Sequence, residues 1–144
     1  MTATIKLKGG DELLRALEKY EGEIKQGVNT VVYATGQDLR KEIINGYKEG
    51  GKVGIVYEKY KPRRTHQASE EGQAPARDTG RLDGSVVFEA SGKGVSVSTD
   101  VYYGPWLEYG TSIIAPRPLW RPEAKKAEKL FVQRLKKLLR RALK

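Results

Sequence analysis

Asp78-Thr79-Gly80 is the first stretch whose residue types could do chemistry, because the same tripeptide supplies the carboxylate of aspartic proteases. In those enzymes two such carboxylates share one proton and activate a water molecule. Here the flanks are Ala76-Arg77 and Arg81-Leu82, where the proteases place apolar residues before the Asp and a small residue after the Gly. The segment therefore reads as a turn leading into a strand, with Asp78 accepting backbone hydrogen bonds and Gly80 supplying an unusual φ. His66 is the single histidine and stands beside Arg63 and Arg64, so no second imidazole exists for a metal cluster, and a solvated loop position is expected. Asp38 and Glu42 lie one helical turn apart and could hold a hard cation, but Arg40 and Lys41 lie between them, and a solvated helix face explains the pair equally well. GSVVFEASGKG contains glycines without the GxxxxGK[ST] spacing or the following helix that cradles phosphate. No catalytic residue, metal ligand or cofactor-binding residue is assigned, and the chain is not expected to be an enzyme.

The bulk properties agree with a binding or structural role. The chain has 144 residues, 38% hydrophobic and 31% charged, with no cysteine, which fits one globular domain over 1–144 and excludes disulfides and thiolate chemistry. MTATIKLKGGDELL lacks an apolar run of signal-peptide length, and no window is apolar enough for a membrane span, so a soluble protein without membrane contact is expected. The net charge of +9 is concentrated: residues 123–144 carry six Lys and three Arg against two Glu. A nucleic-acid-binding face usually interleaves its cations with aromatic or polar readers, and this stretch does not.

The elements follow from periodicity. Ile5 and Leu7 alternate with Lys6 and Lys8 as in a short strand. Leu13, Leu17, Tyr20, Ile24, Val28, Val31, Leu39 and Ile43 then recur at three- and four-residue steps, predicting helix that Asp11 caps, Asn45-Gly46 stops, and a joint near Gly22 to Gly27 divides. Residues 48–78 show little periodicity beyond Val53 to Tyr57 and read as a long polar loop, either an arm that orders against a neighbour or a flexible connection. Val86, Phe88 and Ala90, then Val95 and Val97, alternate on either side of Ser91-Gly92-Lys93-Gly94, which predicts a β-hairpin. A helix should begin at Pro122, with Ala127, Leu130, Phe131, Leu135, Leu138, Leu139 and Ala142 on its apolar side. Three readings of its basic side remain open: a solvated face, a contact with an acidic protein, or a contact with DNA phosphates. The fold class is α+β, with N-terminal helices, a small antiparallel sheet around a central hairpin, and a basic amphipathic C-terminal helix.

Between hairpin and last helix lies TDVYYGPWLEYGTSIIAPRPLWRPEAKKA, whose prolines and glycines predict an irregular segment. Tyr102, Tyr103, Trp106 and Tyr109 surround one acid, Glu108; Gly110-Thr111 turns the chain, and Arg117-Pro118 and Arg121-Pro122 hold it extended. Aromatics flanked by Arg are the composition of interface cores, although a plug docking the last helix on the sheet has the same composition.

This segment resembles the signature of the tailed-bacteriophage neck or tail-completion family related to the tenth gene product of coliphage HK97, whose members join head to tail. The resemblance covers most of the chain: a Gly-led N-terminal helix, HQASEEGQAPARDTGRLDGSV, YYGPWLEYGT, and RPLWRPEAKKA before a basic helix, in that order. Asp78, Thr79, Gly80, Leu82 and Ser85 match its turn before the hairpin; Tyr103, Glu108, Tyr109, Gly110 and Thr111 match its aromatic-acid-Gly-Thr run; Arg117, Pro118, Arg121 and Pro122 match its approach to the helix. The chain departs from the pattern at Gly104-Pro105 and Leu119-Trp120, where relatives tend to carry Ala and Phe. The resemblance implies a virion structural protein, made in the host bacterial cytoplasm, that forms a cyclic homo-oligomer at the junction of portal (connector) and tail-tube or tail-terminator proteins, with transient contact to genomic DNA in the channel. The alternative is a DNA-binding protein using its basic C-terminal helix. The expected interface residues are Asp78, Thr79, Gly80, Tyr102, Tyr103, Trp106, Glu108, Tyr109, Gly110, Thr111, Arg117, Pro118, Trp120, Arg121 and Pro122.

Overall fold

In the computed structural model, which describes residues 2–4, 22–60, 63–92 and 94–142, the chain is α+β. The order is β1 (Thr2–Thr4), α1 (Gly22–Glu49), β2 (Val56–Tyr60), β3 (Arg63–Gln67), α2 (Arg81–Gly84), β4 (Val87–Ser91), β5 (Gly94–Ser98), α3 (Gly104–Tyr109) and α4 (Trp120–Ala142). The expected central hairpin is present as β4 and β5, with Phe88 opposite Val97 and Ser91 opposite Gly94; β1 adds to the far side of β5, giving the antiparallel order β1-β5-β4. Ile5, Leu7, Asp11, Leu13, Leu17 and Tyr20 lie outside the described residues.

The two long helices lie against each other, and α1 also packs on β4 and β5. The core forms where the three meet: Leu39, Ile43 and Tyr47 from α1, Val86 and Val97 from the hairpin, and Leu119, Trp120 and Ala127 at the start of α4. The apolar stripes at helical spacing thus face one another, as burial of roughly 25 cal/mol per Å² of apolar surface requires. Farther along the helix pair, Val28 and Phe131 are also buried. Polar ties fix the angle between the helices: Arg134 donates to Asp38 at 2.6 Å and to the Thr35 hydroxyl at 3.3 Å. Arg40 Nε donates to the Val86 carbonyl at 3.2 Å, joining α1 to the hairpin.

Four sequence expectations are corrected. Asn45-Gly46 does not end α1, which runs unbroken from Gly22 to Glu49; the residues before Gly22, where the expected joint begins, lie outside the described ones. A Cβ on Gly46 would stand 2.3 Å from Leu119 Cδ1, and one on Gly36 would stand 2.6 Å from Val95 Cγ2 and 2.8 Å from Phe88 Cε2. These glycines are where neighbouring elements come closest, so the helix-propensity loss of about 1 kcal/mol each is offset by packing that Ala would obstruct. The second correction is that residues 48–78 are not one irregular loop. They contain the two-stranded β2/β3 hairpin, with Val56 opposite Gln67 and Tyr60 opposite Arg63. Third, the stretch after β5 contains the short helix α3, started by Pro105 in its first turn. Fourth, α4 begins two residues before Pro122, at Trp120, for a reason found in Glu108.

Candidate functional site

Glu108 sits on α3 with only 2% of its surface exposed. One carboxylate oxygen accepts the backbone N–H of Leu119 at 2.8 Å and of Trp120 at 2.9 Å. The other accepts the backbone N–H of Arg121 at 2.8 Å and the Arg121 guanidinium Nε at 3.2 Å. The first N–H groups of a helix have no partner within it. Position 122 is Pro and has none to donate, and the Glu123 N–H already reaches the Leu119 carbonyl at 3.2 Å. Glu108 therefore satisfies every orphan donor at the start of α4 and places a negative charge at the positive end of the helix dipole. This is why α4 starts early, at Trp120. Of the arginines in the two Arg-Pro pairs, it is Arg121 whose guanidinium meets Glu108.

Trp120 and Arg117 complete this joint. The Trp120 ring is buried and its Nε1 donates to the Tyr47 hydroxyl at 2.6 Å. Burial pushes the Tyr47 phenol up to about 12, so it stays protonated and neutral inside the core. Arg117 does not reach Glu108. Its backbone N–H donates to the Leu107 carbonyl at 2.6 Å and its guanidinium to the Ser69 carbonyl at 3.2 Å. Glu108 and Trp120, expected at an interface, are thus both spent inside the subunit.

The aromatic residues of the same segment face outward. Tyr102 is 67% exposed, Trp106 50% and Tyr109 60%, and the following loop adds Ile113 at 93% and Ile114 at 37%. Tyr102 stacks edge-on against both Tyr103 and Trp106, with ring centres 5.3 and 5.5 Å apart, and the Arg121 guanidinium lies over the Tyr109 ring at 4.8 Å. The loop is held rather than loose. Thr111 exchanges hydrogen bonds with Ile114, accepting the Ile113 and Ile114 N–H groups at its hydroxyl, and Gly110 turns at φ 75°. Five apolar side chains are therefore presented on a short, locked shelf whose underside is Glu108. Monomers rarely leave such a cluster in water.

Asp78, Thr79 and Gly80 lie beside this shelf and tie the second hairpin down. Instead of accepting backbone hydrogen bonds as expected, the Asp78 carboxylate meets Lys59 of β2, Arg64 of β3 at 3.0 Å, and His66 Nδ1 at 3.7 Å. His66 is thus a half-buried strand residue, not a solvated one. The Lys59 hydrogen bond is the main cause that holds Asp78 below the usual carboxylate range. Gly80 has the positive φ expected of it, 81°, but it opens the short helix α2 before the strand begins. A cleft of about 200 Å³ separates this turn from α3, lined by His66, Ser69, Asp78, Asp83, Tyr103 and Arg117 among others. Its carboxylates are occupied: Asp78 as described, and the buried Asp83 by Arg77 Nη2 at 3.2 Å. A carboxylate surrounded by cations is the opposite of a proton-sharing dyad, so Asp78 is not set up as the carboxylate of an aspartic protease. Asp38 is engaged by Arg134 rather than poised with Glu42, and no metal-binding cluster occurs among the described residues.

Because the folded-state pKa of Asp78 is depressed, its contribution to stability is present above the usual carboxylate pKa and is lost as pH falls through the lower folded value. Hydrogen-exchange protection of β2 and β3 is therefore expected to drop selectively in acid. Asp78→Asn should remove that dependence and lower stability at neutral pH by the roughly 0.2–1 kcal/mol of an exposed pair; a pH profile unchanged by the substitution would refute the tie.

No helix among the described residues is long and apolar enough to cross a membrane. The chain matches no protein-family model, no curated protein and no solved structure.

Proposed function

We propose that this chain is a structural subunit of a tailed-phage virion that closes into a ring at the head-to-tail junction, between portal and tail. The observation that carries the reading is the locked shelf of Tyr102, Trp106, Tyr109, Ile113 and Ile114, apolar side chains exposed on a rigid base. Rigid aromatic anchors flanked by Arg are what dominate interface energetics, and Arg121, over the Tyr109 ring, supplies the flanking cation. A cyclic assembly uses one patch on each copy against a different patch on the next. The second patch is the β2/β3 arm, whose approach exposes Val53, Ile55, Val56 and Tyr57 at 48 to 69%. The ordered resemblance to the neck and tail-completion family points to the same role, and no catalytic step is assigned to any residue.

A nonsense codon in the gene tests the role directly. Electron microscopy of the lysate should then show DNA-filled heads and free tails that fail to join, with joining restored when the protein is added. Complete virions formed without the chain would overturn the reading.

A further inference from the structure

The exposed side of α4 is a second surface, chemically unlike the aromatic shelf. Ala127 and Phe131 are buried on its inner side, while Lys125, Lys129, Lys136, Lys137, Arg140 and Arg141 are all exposed. Three other cations of this helix are already used within the fold, Arg121 by Glu108, Arg134 by Asp38 and Lys126 by Glu123. The six exposed ones have no acidic partner within 4.0 Å among the described residues. At 3.6 residues per turn, Lys125, Lys129, Lys136 and Arg140 fall within a sector of about 60° and form a straight row about 22 Å long. Lys137 and Arg141 lie to one side of it, about 60° and 100° farther round the helix, and neither Glu123 nor Glu128 falls inside the sector.

Such a row works against the helix that carries it. Lys125 with Lys129, Lys136 with Arg140, and Lys137 with Arg141 are like charges at i,i+4, a spacing that destabilises helices. A polyanion laid along the row relieves that repulsion.

We infer that the outer face of α4 binds the phosphate backbone of duplex DNA without reading its sequence. Two features favour DNA over an acidic protein. Protein interfaces are depleted in Lys at their centres and are anchored by aromatic or other large apolar side chains; this face is mostly Lys, and its only exposed large apolar residue is Val132. A face of Lys and Arg without Asn or aromatic readers also suits phosphate contacts, which position a protein but carry no sequence information. A straight helix face fits the wide major groove of B-form DNA, whereas the major groove of A-form RNA is deep and narrow. This inference does not rest on ring assembly, because the row belongs to a single subunit.

Fluorescence anisotropy of the full chain with a short random-sequence duplex tests it. Binding should be measurable at about 50 mM salt and weaken steeply as salt rises, with a log–log slope of about −5 when all six cations meet phosphates. Neutralising the row (Lys125→Gln, Lys129→Gln, Lys136→Gln, Arg140→Gln) should make the slope shallower by about 3 to 4, and the milder pair Lys136→Gln with Arg140→Gln by about 2. A matched set elsewhere (Lys41→Gln, Lys48→Gln, Lys52→Gln, Arg81→Gln) removes the same charge and should leave the slope nearly unchanged. No binding at low salt, equal losses in the matched set, or equally tight binding of polyglutamate would each overturn the inference. Failure to form rings would leave these results as they are.

Discussion

Replacing Glu108 with Ala is expected to lower folding stability by about 3 to 5 kcal/mol, because three buried or half-buried backbone N–H groups lose their only acceptor together. A single domain has about 5–15 kcal/mol in total, so the variant should be close to unfolding. Glu108→Gln tests the same point with almost no change of shape. The two carboxylate oxygens each face a pair of donors, so whichever way the amide turns, its NH2 meets one of those pairs. A loss of about 2 to 3 kcal/mol follows. Arg121→Ala is the discriminating control. Its side chain is 52% exposed, and losing an exposed ion pair costs no more than roughly 1 kcal/mol. Urea denaturation with unchanged m-value should therefore rank Glu108→Ala, Glu108→Gln and Arg121→Ala in falling order of damage. Equal losses for Glu108→Ala and Arg121→Ala would mean that Glu108 serves as an ion-pair partner and not as the helix cap.

The second large effect concerns assembly and should leave the single subunit nearly untouched. Tyr102→Ser with Trp106→Ser removes the stacked centre of the aromatic shelf, while both side chains are at least half exposed. Surface changes of this kind alter stability by about 0.5 kcal/mol or less per site. If these residues are interface anchors, each should cost association about 2 kcal/mol or more, roughly 30-fold in the affinity of each contact. Val87→Ser, at a comparably exposed apolar residue on the edge strand β4, should not. Concentration-dependent sedimentation separates the two, and identical self-association by the aromatic double variant and the parent chain would remove the shelf from the interface.

What the sequence made legible was whatever is periodic. The apolar stripes of α1 and α4 and the alternation on either side of Ser91 to Gly94 are local patterns, and each emerged as the expected element. The β2/β3 hairpin had no such pattern. Among the described side chains neither strand buries an apolar face; the strands are held by their own ladder, by Gly54 and Ala68 bonding across its base, and by Asp78. An acid 14 residues beyond Arg64 in the chain gives no sequence signal of that tie. Glu108 was legible as a lone acid among aromatics but not as a cap, because a local capping box spans three residues whereas this carboxylate reaches 11 to 13 residues ahead. Gly46 misled for a related reason. Glycine commonly ends helices, but here it makes room for Leu119, which approaches from the other end of the fold.

The division of labour at Tyr102 to Pro122 follows from these contacts. Glu108 and Trp120 look inward and fix the start of α4, and that fixed joint is what lets Tyr102, Trp106 and Tyr109 stand in water without collapsing onto the core. The C-terminal helix is placed by the same joint, so its basic face is held in a set direction relative to the shelf.

The most direct test of the proposed ring-forming role is the mass of the particle in solution, measured by mass photometry on the chain alone and on the chain mixed with portal and tail proteins encoded by neighbouring genes. One closed multiple of the subunit is expected in at least the mixed sample, dispersed by the Tyr102→Ser and Trp106→Ser pair. Monomers alone in both samples would contradict it.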